Sequence, residues 1–88
     1  MQIIVQKLSE NEINEKGIRN WSIWTKEKSK FDWYYDSTEE CYFLEGKVIV
    51  HTTEGDIEIN QFDYAVFPEG LKCQWEIIEP VKKHYNFH

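Results

Sequence analysis

Hydrophobic and polar residues alternate along most of this chain, and a period of two marks strands with one buried face. In 31-FDWYY-35, Phe31, Trp33 and Tyr35 share one face while Asp32 and Tyr34 take the other. The same alternation runs from Glu39 to Glu45, where Gly46 is expected to end it, and resumes over residues 47–52. Further strands are expected at residues 57–60, 64–67, 72–79 and 81–87, with Pro80 separating the last two. The run 3-IIV-5 predicts a short edge strand, since β-branched residues pack well on a pleated surface. In 21-WSIW-24, Trp21 and Ile23 oppose Ser22 and Trp24. The exception is 9-SENEINEKG-17, which predicts a brief surface helix. Ser9 caps it, Glu12 completes a capping box three residues on, and Gly17 ends it.

Turn formers punctuate these runs: 36-DST-38, 53-TEGD-56, 60-NQ-61, 68-PEG-70 and Pro80. Eight or nine short strands at regular spacing predict an all-β sandwich or barrel rather than a parallel sheet crossed by helices. The 88 residues carry no repeat and no linker, and that length supports one core, so residues 1–88 are expected to form a single domain.

Composition narrows the function classes. Four Trp, five Tyr and five Phe are more rings than a small core needs, so some are expected to line a cavity or a partner surface. The net charge is −6, and Glu27 interrupts the only run of spaced lysines (Lys26, Lys28, Lys30). Nucleic acid is therefore not an expected partner. Nor is a membrane, because no apolar run approaches the length of a bilayer span and the N-terminus lacks a leader pattern. A cytoplasmic location follows by default, where the two cysteines, Cys41 and Cys73, are expected as thiols.

Two stretches, 31-FDWYYDSTEECYFLEG-46 and 62-FDYAVFPEGLKCQWEI-77, carry a further pattern. Trp33, Tyr35, Glu39 and Gly46 fall at the spacing of the first cupin motif, whose paired histidines are replaced here by Trp33 and Tyr35. In the second motif Pro68 and Gly70 match, Phe62 replaces the leading glycine, and Cys73 stands where a third histidine belongs. The chain resembles the small single-domain members of the RmlC-like cupin superfamily. Among these it is similar to the cupin domain of ureidoglycine aminohydrolase through Trp33 to Asp36, Cys41-Tyr42, Leu44 to Gly46, Phe67-Pro68, Trp75, Glu79 to Val81 and Lys83 to Tyr85. The resemblance implies a double-stranded β-helix, or jelly-roll barrel, with a site inside its mouth. It also implies a metal held by three histidines and a glutamate, and of those four positions only Glu39 is retained.

A transition metal needs three or four converging donors. Trp33 cannot coordinate, and the Tyr35 phenol is a poor ligand at neutral pH. No metal or other cofactor is therefore expected. A zinc site from Cys41, Cys73 and Glu39 with His51 or His84 is the alternative, weighed against two cysteines packed as small hydrophobes.

Strand parity turns Trp33, Tyr35, Glu39, Cys41 and Phe43 one way, and Phe67, Cys73 and Trp75 are expected to face them. The result is an aromatic pocket around one carboxylate, suited to a small organic ligand. Within it Glu39 is the candidate catalytic residue: burial among rings favours its neutral form, so it can accept a proton or anchor a cation. Its structural alternative is a hydrogen bond to Tyr35 or Trp33. The leading expectation is a metal-free cupin that binds a small molecule. The alternatives are an enzyme acting on a ureide, amine or sugar derivative, and a module that forms a homodimer.

Overall fold

A computed structural model describes all 88 residues, Met1–His88. Seven strands and one short helix build it: β1 (Ile4–Lys7), α1 (Glu10–Lys16), a single 3-10 turn (Ile18–Asn20), β2 (Ser22–Lys26), β3 (Ser29–Tyr34), β4 (Glu39–Thr52), β5 (Gly55–Ile59), β6 (Asp63–Phe67) and β7 (Lys72–Phe87). Every strand pairing is antiparallel. The helix forms as its sequence predicts, with Ser9 and Glu12 closing a reciprocal capping box and Gly17 left-handed at the C-terminus.

Seven strands stand where eight or nine were expected, because two predicted breaks are bends. β4 runs straight through Gly46 and β7 through Pro80. The register between them shifts three times, from Phe43 to Val48, as bulges absorb extra residues. Gly46 has φ +103°, and a methyl group there would overlap the Pro80 carbonyl. Proline is tolerated at the bend because a bulge leaves its missing N–H without a ladder partner. Each long strand thus passes from one layer of the barrel to the other. The first layer has the order β1-β6-β4-β7-β2 and uses residues 39–45 of β4 and 81–87 of β7. The second joins β5 and β3 to the remaining halves.

The main core lies between the layers, with Tyr35, Cys41, Phe43, Val48, Val50, Ile59, Ala65, Phe67, Trp75 and Ile77 among its buried members. A smaller cluster of Ile13, Ile18 and Tyr64 seats the helix on the outer face, and Trp21 packs against it. Trp21 is therefore part of the helix seat, while Trp24, three residues on, reaches the barrel interior. Phe62 adopts φ +69° at the position where the motif carries glycine, a conformation costing a bulky residue about 1–2 kcal/mol. No helix is long and apolar enough to cross a membrane.

Candidate functional site

One hollow opens between β2, β3 and β7, with a volume of about 480 Å³. Its apolar walls are all aromatic: Trp24 from β2, Phe31 and Trp33 from β3, Tyr35 just beyond, and Trp75, Tyr85 and Phe87 from β7. Four charged side chains join them: Lys26, Asp32, Glu39 and Lys83. Trp33 and Phe87 are each about half exposed and form the rim.

Trp75 is the hub of the aromatic wall. Phe43 and Phe31 stack on it at centroid distances of 6.2 and 6.1 Å, and Trp24 meets it edge-on at 5.9 Å. Its indole N–H donates to the Tyr35 hydroxyl at 3.1 Å. Tyr35 in turn lies flat on Phe67, with centroids 4.9 Å apart. Its backbone is pinned from both sides, donating to the Leu71 carbonyl and accepting from the Gly70 N–H. Burial, reinforced by the nearby Glu39 carboxylate, pushes the Tyr35 phenol far above its ordinary range, so it stays protonated.

The floor of the hollow holds a cation that sequence reasoning did not place in the site. Lys83 projects inward from β7, where strand parity puts it on the same face as Trp75 and Val81. Its Nζ donates to Glu39 Oε2 at 3.3 Å and to Cys41 Sγ at 3.1 Å. The ammonium also sits over three rings, 4.8 Å from the Trp75 centroid, 5.0 Å from Trp24 and 5.8 Å from Phe43. Ring faces carry negative potential, so this is a cation cage with one formal counter-charge. Only 5% of the Lys83 side chain and 7% of the Glu39 side chain remain exposed.

Two expectations are corrected here. Glu39 is not a lone carboxylate, and its bond goes to Lys83 rather than to Tyr35 or Trp33. The signal was present in 82-KKHY-85: alternation on β7 makes Lys83 the inward residue between Val81 and Tyr85, yet a lysine in such a run reads by default as a solvated one.

Of the remaining predicted residues, Trp33, Tyr35 and Trp75 line the hollow, while Cys41 and Phe43 lie beneath it and touch Lys83. Phe67 contributes through its stack on Tyr35. Cys73, half-buried opposite Trp33 in the β3–β7 ladder, lies outside this lining and borders a neighbouring hollow with His51 and Lys72. Phe31, Trp24, Tyr85 and Phe87 complete the walls and were not foreseen as site residues.

The donor set does not fit a metal. No group of three or more His, Cys, Asp and Glu side chains is arranged so that it could hold a metal ion. His51 is engaged by Asp56 and Glu76, and His84 bonds the Trp21 carbonyl on the opposite face of β7. The predicted zinc alternative therefore fails on geometry. Both cysteines are free thiols. Burial pushes Cys41 up to about 12, against the pull of the Lys83 ammonium, and Cys73 up to about 11. Both are thus poor thiolate donors near neutrality. Where the family's motif brings imidazoles around an ion, this chain brings rings around an ammonium.

Comparison with known proteins follows the same lines. The EutQ-like cupin domain matches residues 13–85. A DUF861 family protein from Thermotoga maritima is 45% identical, with a TM-score of 0.96 over 99% of this chain and 100% of that one. The EutQ proteins of Clostridium difficile and Salmonella typhimurium share the fold, with TM-scores of 0.70 and 0.68 at 15% identity. This chain is covered over 98% and 99%, and theirs over 67% and 69%. No functionally curated protein matches the sequence.

Proposed function

The chain belongs to the EutQ-like cupin domain family, and we propose that it binds a small planar organic molecule in the aromatic hollow above Lys83 and Glu39, without a transition metal. The observation that carries this reading is the caged ammonium: a cation fixed at the floor of a cavity whose walls are rings. A cavity of about 480 Å³ lies within the ~300–1,000 Å³ typical of small-ligand sites. Rings favour a flat ligand by stacking. Lys83 offers N–H donors to a carbonyl or hydroxyl oxygen, and Glu39 beside it accepts from an N–H or O–H. A ligand with a donor and an acceptor side by side, as ureides have, satisfies both, which accords with the resemblance to the cupin domain of ureidoglycine aminohydrolase.

Thermal shift against a panel of ureides, cyclic amides, aromatic alcohols and sugars tests this. A ligand at about 100 times its Kd raises stability by ~2.7 kcal/mol. Trp33→Ala, at the exposed rim, is expected to weaken binding while leaving the fold intact. Elemental analysis of the purified protein is the companion measurement, and a stoichiometric transition metal would overturn the metal-free reading.

A second reading, the homodimer, is favoured by Ile23, Trp33, Tyr34 and Phe87, which leave large apolar surfaces about half exposed. Light scattering that returns a monomer at high concentration removes it.

A further inference from the structure

We propose that Lys83 is a carbonyl-capturing amine that condenses reversibly with a small aromatic aldehyde held in the hollow, Glu39 carrying the proton. This rests on the cavity being a ligand site, and it adds a reaction to that site. Three observations carry it. First, Lys83 is the primary amine at the floor of the cavity, with a carboxylate within proton-transfer distance. Lys26, the other amine on the lining, sits over the Phe31 ring on an exposed stretch of β2, with no carboxylate bonded to it. Second, the hollow above Nζ is walled by rings, with Trp33 and Phe87 half exposed at its rim, so it offers apolar faces to a flat aldehyde whose carbonyl is directed at the amine. Third, a buried lysine–glutamate pair is a poor way to stabilise a fold, since apolar residues of similar volume usually do as well. Lysines desolvated in apolar pockets serve instead as Schiff-base nucleophiles.

The step balances within the residues present. When a ligand fills the hollow and displaces water, the Lys83 ammonium passes a proton to the Glu39 carboxylate, which removes two charges from a low-dielectric space. The free amine lone pair attacks the aldehyde carbon, forming the C–N bond, and the carbonyl oxygen ends as the carbinolamine hydroxyl after proton transfer from nitrogen. Glu39 then returns its proton to that hydroxyl, the C–O bond breaks and water leaves. Overall, an ammonium and an aldehyde give an iminium and water, with no oxidant or reductant. The product carries its positive charge where the ammonium carried it, so Trp24, Phe43 and Trp75, which favour a cation, favour the iminium too.

The test treats the intact protein with benzaldehyde and sodium cyanoborohydride, which reduces an imine to a stable benzylamine. Peptide mass mapping then locates the benzyl group. The expected result is a single benzylation at Lys83 that precedes labelling of Lys26 and the surface lysines. Lys83 labelled no sooner than those lysines overturns the proposal. Benzyl alcohol, of the same shape but without a carbonyl, reports on the cavity alone by ring-proton shifts in NMR. If benzyl alcohol binds and Lys83 is not labelled, the carbonyl chemistry fails and ligand binding stands. If neither occurs, both readings fall. Lys83→Arg keeps the charge beside Glu39 but forms no imine, and is expected to lose the single-site label. Glu39→Gln is expected to slow labelling at Lys83, and an unchanged rate would remove Glu39 from the proton transfer.

Discussion

Replacing Lys83 by methionine keeps most of the buried stem and deletes only the charge. Glu39 accepts a hydrogen bond from Lys83, and its side chain is 7% exposed. The variant therefore strands a carboxylate among rings. Breaking a buried pair from one side costs about 3–5 kcal/mol, because the surviving charge keeps its desolvation penalty and loses its partner. A domain of this length holds roughly 4–13 kcal/mol in total, at ~0.05–0.15 kcal/mol per residue, so the loss is a large share of the whole. At ~4 °C or more per kcal/mol, the melting temperature is expected to fall by about 12 °C or more. Urea unfolding followed by tryptophan fluorescence reads this directly, since Trp24 and Trp75 both face the ammonium.

The double variant supplies the control. Replacing both partners, Glu39→Leu with Lys83→Met, is expected to recover most of the stability, because no charge is left buried. A Lys83→Met variant within about 1 kcal/mol of the parent at neutral pH would refute the caged-ion account, because exposed pairs contribute only that much.

Three further outcomes follow from the same packing. Tyr35→Phe removes the acceptor of the Trp75 indole N–H in a buried setting and should cost about 1–3 kcal/mol by denaturant titration. Gly46→Ala meets both the φ of +103° and the Pro80 carbonyl, so a loss of about 3 kcal/mol or more, or failure to fold, is expected in a soluble-expression and melting assay. His51 hydrogen-bonds Glu76 and Asp56, which raise its pKa above the ordinary value. Its contribution to stability is then full below about pH 6.5 and lost as pH rises through the folded-state value, and an NMR titration placing His51 at or below ~6.5 would contradict the pairing.

The barrel was legible because alternation, turn residues and motif spacing all report local geometry. Ser9, Glu12 and Gly17 marked the helix correctly, since a cap is made by residues three or four apart. Gly46 and Pro80 were misjudged as strand ends because each alone is a breaker. Only their juxtaposition across β4 and β7 turns two breaks into one shared bend. The site was half legible. Trp33, Tyr35, Glu39 and Trp75 follow from motif spacing and parity, whereas Trp24, Tyr85 and Phe87 reach the hollow only through the pairing of β2 with β7 and the closure of the layers.

What the chain's letters determined alone is the class of structure and the absence of imidazoles from the motif positions, because periodicity and residue identity are local properties. The meeting of Lys83 with Glu39, Cys41 and three rings was decided by tertiary structure. These groups lie 42 and 44 residues apart along the chain for the two hydrogen bonds, and only the register of β4 against β7 brings them within 3.3 Å. Whether a lysine is a hydrated surface charge or a buried cation depends on what the fold wraps around it, and that is a property of the closed barrel rather than of any single strand.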